Sequence, residues 1–467
     1  MAILAASSSL TKCAGLPRFL EAREANVDGD LVLGLLPMVD YINCPTDPVV
    51  HDRRGPSHPV LAKQRRRYAD FLKNDYEPLR SPGTFIEDDI YVTLPDGGNL
   101  VFWGQRDGVD GAWTPIFDIS AWYIDNNQIV IPDLGTYTVE SYTWNFVHPG
   151  SQDSSFVEQT ITLEGDYAVL ITGWWYAYQH QLIDCLGYLV YLSRTLPSTT
   201  RILIPSWQTE TLPAILEAVD PELAHRVDFI DCQTFLMCHN KKYQVKNGTL
   251  KILKPKSLTR HLELYELVRS WLWNSPKIKK LLKENNNCNE KTIIYYNRTP
   301  KGTGFDRVVN ARYMDRKQEI EIQNRIKHAM ARYNRSEKFV VFDGHMSFEE
   351  QILLFHSATT VIGPHGGGLA NILLMAPSKV TNDKNVCQER PKVLEFVTNS
   401  ETPQVQKGDI VATYYTLYST CPWVELHQVL FVPPSNPDFT FIDMDAFDDA
   451  LKSILGGSSS SSYAVSV

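Results

Sequence analysis

Gly363-Pro364-His365-Gly366-Gly367-Gly368-Leu369-Ala370-Asn371 is the stretch on which the reading of this chain turns. The β-branched run Thr359-Thr-Val-Ile before it has the character of a buried strand, and the apolar run Leu369 to Met375 after it reads as a helix. Glycines between a strand and a helix let backbone approach a ligand closely. The helix start adds N–H groups and a partial positive charge. A diphosphate suits such a junction, with His365 as an added hydrogen-bond donor. The alternative is a tight turn whose glycines serve only to reach positive φ.

Outward from the loop, strands and helices alternate. Thr292-Ile-Ile-Tyr-Tyr, Lys338-Phe-Val-Val-Phe and Lys392-Val-Leu-Glu-Phe-Val read as strands. Between them, Asp315 to Tyr333 carries Ile322, Ile326, Met330 and Tyr333 on one stripe, and Ser347 with Glu350 forms a capping box ahead of Phe348, Ile352 and Phe355. An earlier series repeats the rhythm: strands at Tyr167 to Gly173, Arg201 to Pro205 and Val227 to Asp231, helices at Tyr178 to Leu192 and Leu212 to Val219. Such alternation implies parallel βαβ units. The expected fold class is therefore α/β, with two facing Rossmann-like domains and a cleft between them, since ligands bind beyond the carboxyl ends of parallel strands. The expected divisions are an N-terminal extension over 1–83, an acceptor-side α/β domain with a leading β-rich part over 84–288, a donor-binding domain over 289–435, and a C-terminal helix with a Ser-rich, disordered tail over 436–467. The polar run Asn285 to Asn289 marks the break between the two α/β domains.

Bulk properties narrow the partners. The 467 residues carry a net charge of −9, with 43% hydrophobic and 21% charged residues, the composition of an ordinary globular protein. That balance argues against nucleic acid, which needs a basic footprint; the basic run Lys63 to Arg67 reads as a solvated helix face. No apolar run approaches the roughly 18–20 residues that span a bilayer, and no signal peptide is visible, so membrane association is expected only through an anchor missing from this sequence. The eight cysteines lack metal-finger spacing. Asn247, Asn297 and Asn334 each open an N-glycosylation tripeptide.

Chemistry-bearing residues recur at strand ends. Arg298 follows the strand Thr292 to Tyr296, with Arg307 and Asn310 close behind; guanidinium groups bind phosphate oxygens bidentately, although a lone surface Arg is more often simply solvated. Glu395 lies inside a buried strand, where an unpaired carboxylate is costly; it reads as a ribose-hydroxyl acceptor or a structural ion pair. His180 and Asp184 share a helix face and are candidates for the general base, or form a helix-surface pair. Asp443-Met-Asp445 has the spacing of a metal-binding pair but lies outside the strand series. With cationic side chains to meet a diphosphate, no obligatory divalent metal is expected.

In this order, the His180-x-x-x-Asp184 helix, the strand ending in Arg298, Arg307-x-x-Asn310, the loop Gly363 to Asn371 and the Val-Leu-Glu-Phe strand resemble glycosyltransferase family 61 over roughly residues 165–400. Departures include Gly367 in place of a common Ala and Gly187-Tyr188 in place of Pro-Arg. The resemblance implies a GT-B fold and inverting transfer of N-acetylglucosamine or a pentose such as xylose from a UDP-sugar to a protein or glycan hydroxyl. It also implies work in the lumen of the endoplasmic reticulum or Golgi. In that setting Gly363, His365, Gly366, Gly367, Gly368, Asn371, Arg298, Arg307, Asn310 and Glu395 hold the donor. Asp184 takes the acceptor proton, and His180 orients it or contacts the donor sugar. The competing readings are a degenerate relative that binds a nucleotide sugar without turnover, a dinucleotide oxidoreductase and a purely structural protein. The oxidoreductase lacks a clean Gly-x-Gly-x-x-Gly and a timely acidic residue.

Overall fold

The computed structural model describes residues 19–22, 33–36, 49–51, 91–94, 99–105, 118–125, 128–130, 159–170, 178, 181–206, 211–231, 241–253, 263–285, 290–297, 314–376, 390–397, 424–432 and 441–456. His180, Arg298, Arg307, Asn310, the stretch 381–389 and the Ser-rich tail lie outside them, and Asp184 is described by its backbone alone.

The C-terminal sheet is built from β14 (Thr292–Tyr296), β15 (Lys338–Phe342), β16 (Ala358–Pro364), β17 (Lys392–Val397) and β18 (Glu425–Val432), all parallel. Its order, β15-β14-β16-β17-β18, is the doubly wound order 2-1-3-4-5. β14 is buried throughout, and its side chains alternate between two cores: Ile293 and Tyr295 enter one, Ile294 and Tyr296 the other. Two short strands extend the far edge: β19 (Phe441–Ile442) is antiparallel to β18, and β3 (Val49–His51) is parallel to it. The latter comes from the stretch read as an N-terminal extension.

The N-terminal sheet has the order β11-β10-β9-β13-β4. Here β9 (Tyr167–Val169), β10 (Arg201–Ser206), β11 (Val227–Asp231) and β13 (Leu250–Leu253) are parallel, and β4 (Tyr91–Leu94) is antiparallel to β13. The parallel strands run 3-2-1-4, again with a reversal beside the first strand. A third sheet joins β5 (Asn99–Gln105), β6 (Asp118–Asp125), β7 (Gln128–Val130), β8 (Gln159–Glu164) and β12 (Lys241–Lys246). The chain passes twice from this sheet into the N-terminal one, and the two crossings are stitched together. Gly165 N–H donates to Lys246 O at 2.9 Å, and both the N–H and Oγ1 of Thr249 donate to Asp166 Oδ1 at 2.8 Å. Gly165 has φ +90°, and a Cβ on Gly248 would lie 2.2 Å from Gly165 C, so both glycines are required there. A separate hairpin pairs β1 (Phe19–Ala22) with β2 (Leu33–Leu36).

Helices cover the sheets as the apolar stripes foretell. In the first unit they are α1 (Leu186–Thr195), α2 (Thr211–Val219), α3 (Pro221–Arg226), α4 (Glu263–Asn274) and α5 (Pro276–Glu284); in the second, α6 (Arg316–Arg332), α7 (Phe348–His356) and α8 (Met444–Leu455). Asp315 caps α6 by accepting from the N–H groups of Lys317 and Gln318, and the Ser347–Glu350 capping box on α7 has both of its bonds. α4 and α5, with β12 and β13, carry no clear signal in the sequence reading. The two α/β units expected are present, and one apolar core runs through both: Leu189, Ile215 and Leu272 pack in it with Ile352, Phe355 and Leu373. A second core lies on the other face of the C-terminal sheet, under α6 and α8. Among the described residues no helix is long and apolar enough to cross a membrane.

Two helices differ from expectation. The segment read as one α-helix from Tyr178 contains a π-helical turn, Gln181–Cys185, ahead of α1. The loop helix is a 3-10 helix over Gly367–Leu374, closed by bonds such as Leu369 N–H to Gly366 O at 3.0 Å; the tighter winding starts it at the glycines themselves.

α8 docks by an edge-to-face contact of Phe447 on Phe396, centroids 5.6 Å apart at 85°, both rings fully buried. Truncating Phe447→Ala should cost about 3–5 kcal/mol in urea unfolding. A loss below about 1 kcal/mol would mean that α8 is not part of the cooperative unit.

Candidate functional site

In a doubly wound sheet a crevice opens where the strand order reverses, beyond the carboxyl ends of the first and third strands. Here those strands are β14 and β16. Their carboxyl ends are Tyr296-Asn297 and Gly363-Pro364-His365, so the glycine loop and the start of the Arg298 segment emerge side by side.

Steric closeness, not backbone handedness, explains the glycines. Among the described residues the positive-φ glycines are Gly165 and Gly344, neither in this loop, and Gly366 is extended at φ 171°. A Cβ on Gly363 would sit 2.7 Å from the Tyr296 carbonyl oxygen, and one on Gly368 would sit 2.3 Å from Tyr296 Cε2. The loop is thus pressed onto Tyr296 from both ends. Its other side is tied to β17, where His365 N–H donates to Phe396 O at 2.9 Å. By the geometry of any helix start, the N–H groups of Gly367 and Gly368 point away from the helix body.

Register places Gly363, Glu395 and Gln428 in one row across β16, β17 and β18. His365 Nδ1 lies 2.7 Å from Glu395 Oε1, and Glu395 Oε2 accepts from Gln428 Nε2 at 3.0 Å. Glu395 and Gln428 are each 1% exposed. As a carboxylate Glu395 only accepts, so Nδ1 carries the proton, and the ring's tautomer and orientation are fixed. Both Glu395 oxygens are engaged inside the protein, with His365 and Gln428, as the structural ion-pair reading of this residue expects. Asn371, read as a donor-binding residue, is likewise held within the protein. It is 0% exposed, donates from Nδ2 to Gln351 Oε1 at 3.0 Å, and accepts from the Tyr178 hydroxyl. Burial pushes the Tyr178 phenol well above its ordinary pKa, against a smaller opposing effect of its bond to Asn371, so it stays a proton donor.

Two groups that the sequence did not single out complete the surroundings. Arg269 on α4 is buried and donates from Nη1 to the carbonyls of Leu373 and Met375 at 2.9 and 3.0 Å, capping the end of the loop helix. Asn297, read only as a glycosylation residue, gives its N–H to Phe342 O at 2.8 Å, while its buried Oδ1 has no partner among the described residues. An unpaired buried acceptor at a crevice mouth is a place for a ligand donor. On the opposite face of β14, the Tyr295 hydroxyl is also buried without a partner among the described residues. Burial first, and the neighbouring Glu319 charge second, raise its pKa; burial raises that of Glu319 against the pull of Arg316.

On the other unit, Asp184 sits on the π-helical turn Gln181–Cys185. Such turns interrupt regular winding and are frequent at functional sites. The structure thus brings together Gly363, His365, Gly366, Gly367, Gly368 and Glu395, places Asn371 in the scaffold beneath them, and gives the backbone position of Asp184.

The family profile described as Glycosyltransferase 61 matches residues 178–381, from Tyr178 through the glycine loop. A comparison with curated proteins gave no match. Among solved structures, the E. coli ADP-heptose lps heptosyltransferase II is similar at 9% identity and a TM-score of 0.29, covering 62% of this chain and 98% of that one. So loose a superposition adds nothing to the fold, which rests on the two parallel sheets.

The contact with Tyr296 gives a direct test. Gly368→Ala should destabilise the protein by about 1–3 kcal/mol, as overpacking does. Adding Tyr296→Leu, which removes the colliding ring atoms, should recover part of that loss in a double-mutant cycle. Strict additivity of the two losses in thermal or urea unfolding would show that the glycine is not there to admit the ring.

Proposed function

We propose that this chain, whose residues 178–381 match the Glycosyltransferase 61 profile, is a glycosyltransferase that moves N-acetylglucosamine or a pentose from a UDP-sugar to a hydroxyl of a protein or glycan, with inversion at the anomeric carbon. The observation that carries the donor half is the His365–Glu395–Gln428 row behind a glycine loop at the switch point of the second sheet.

In the reaction, the acceptor oxygen bonds to the anomeric carbon while the bond from that carbon to the diphosphate oxygen breaks. The transition state has oxocarbenium character, and negative charge grows on the departing UDP. Donors already in place when that charge appears cost no reorganisation, which makes a pre-set loop effective. His365 is held by Glu395, and the first N–H groups of the loop helix lie beside it. Arg298 and Arg307, which follow β14, supply full positive charge, so the reading needs no divalent ion. Asp184 takes the acceptor proton, with His180 orienting it. A donor sugar of this kind and a glycan or protein acceptor fit work in the lumen of the endoplasmic reticulum or Golgi.

A thermal-shift screen of the purified chain against UDP, GDP, CMP, ADP and NAD tests the reading. UDP at about 100 times its dissociation constant should add about 2.7 kcal/mol of stability. The other nucleotides should add little, Arg298→Ala should abolish the UDP shift while staying folded, and a chelator should leave it intact. No shift with any nucleotide from a folded sample would overturn the reading; a shift that needs manganese would overturn its metal-free part.

A further inference from the structure

Tyr178 lies after β9 in the first unit, three residues before the π-helical turn that holds Asp184. Its hydroxyl crosses to the second unit. There it is within hydrogen-bond reach of Asn371 Oδ1, on the loop helix, and of Gln351 Oε1 at 2.9 Å, on α7. A phenol has one proton to give. Asn371 Nδ2 already supplies Gln351 Oε1 at 3.0 Å, and Gln351 Nε2 donates to Met346 O at 2.9 Å. The consistent assignment is a directed chain: Tyr178 to Asn371, Asn371 to Gln351, Gln351 to the backbone before α7. Each member of the chain is thereby satisfied in an apolar setting, and removing the Tyr178 proton would leave Asn371 Oδ1 buried and unpaired. Arg269 adds a second crossing at the end of the same helix, through Leu373 and Met375.

We infer that Tyr178 is a positioning residue for sugar transfer, an inference that rests on the transferase reading. Its bond to Asn371 makes the π-helical turn of Asp184 and the glycine loop of His365 one mechanical unit. Transfer needs a base from one unit and a donor held by the other in a fixed relation, and a misplacement of about 1 Å can cost about 100-fold in rate. A bond from the chain just ahead of the turn to the helix just behind the loop sets that relation at its shortest path. Tyr178 itself touches neither sugar nor nucleotide.

The variant is Tyr178→Phe, which keeps the packed ring and removes only the hydroxyl. Hydrogen–deuterium exchange should rise about tenfold or more, together, in peptides covering 178–195 and 363–376, because their opening is coupled. Turnover of UDP-N-acetylglucosamine or UDP-xylose should lose about tenfold or more in kcat, with the donor KM changed less than about threefold, since donor contacts survive. As a contrast, Gln351→Leu leaves the crossing bond and should raise exchange in 363–376 alone. Faster exchange in only one peptide of Tyr178→Phe, or in neither, overturns the coupling. A lowered Tm with unchanged kcat shows a merely structural tyrosine and overturns the positioning role. Should the unmodified chain neither bind UDP nor turn over a UDP-sugar, the transferase reading falls and the positioning role falls with it, while the exchange data still decide the coupling.

Discussion

The contact of two glycines with one tyrosine, Gly363 against its backbone and Cβ and Gly368 against its ring, governs the site. Tyr296 ends the first strand of the second sheet, and Gly363 and Gly368 close on it from the third strand and its helix. Any Cβ at either position would push the loop off the sheet, and with it His365, whose backbone is pinned to β17 and whose ring is pinned to Glu395. The glycine-rich spelling is therefore a packing requirement first. What it yields is a helix start held over the crevice of a doubly wound sheet, where the backbone offers N–H groups.

Much of this was legible in the sequence because the signals were local. The β-branched run before Gly363, the stripe of α6 and the Ser347–Glu350 box each report a short-range preference, and each element stands within a residue or two of its expected place. The loop helix and the start of α1 departed in winding, since 3-10 and π turns share the apolar spacing of the α-helix over so short a run. Strand order was not legible. The pairing of Val49–His51 with β18 joins residues nearly four hundred apart, and the two crossings stitched at Gly165 and Gly248 depend on a meeting that no single segment encodes.

At the candidate site the sequence marks unusual residue types more readily than it marks their partners. Glu395 and Asn371 stood out as polar residues in apolar company, which marks importance but not the partner. A buried carboxylate must be met by something; a ribose and a histidine satisfy that demand equally on paper, and in the folded chain His365 and Gln428 meet it. Tyr178, Arg269 and Gln428 escaped notice for the converse reason. Their neighbours in sequence are ordinary, and each acts on a residue tens to almost two hundred positions away.

The polar bonds that cross between the units also answer a question of specificity. The apolar core shared by α2, α4, α7 and the loop helix would bury similar area over a range of small slides, because apolar contact is non-directional. Hydrogen bonds are not so tolerant: the Tyr178 hydroxyl and the Arg269 guanidinium each lose their partners with a displacement of about 1 Å. Set inside that core, where an unmade bond is not repaid by water, they choose one relative placement from the many that hydrophobic burial alone would permit. The proposed two-substrate transfer needs such a choice, since the group proposed to take the proton and the loop proposed to receive the departing charge belong to different units.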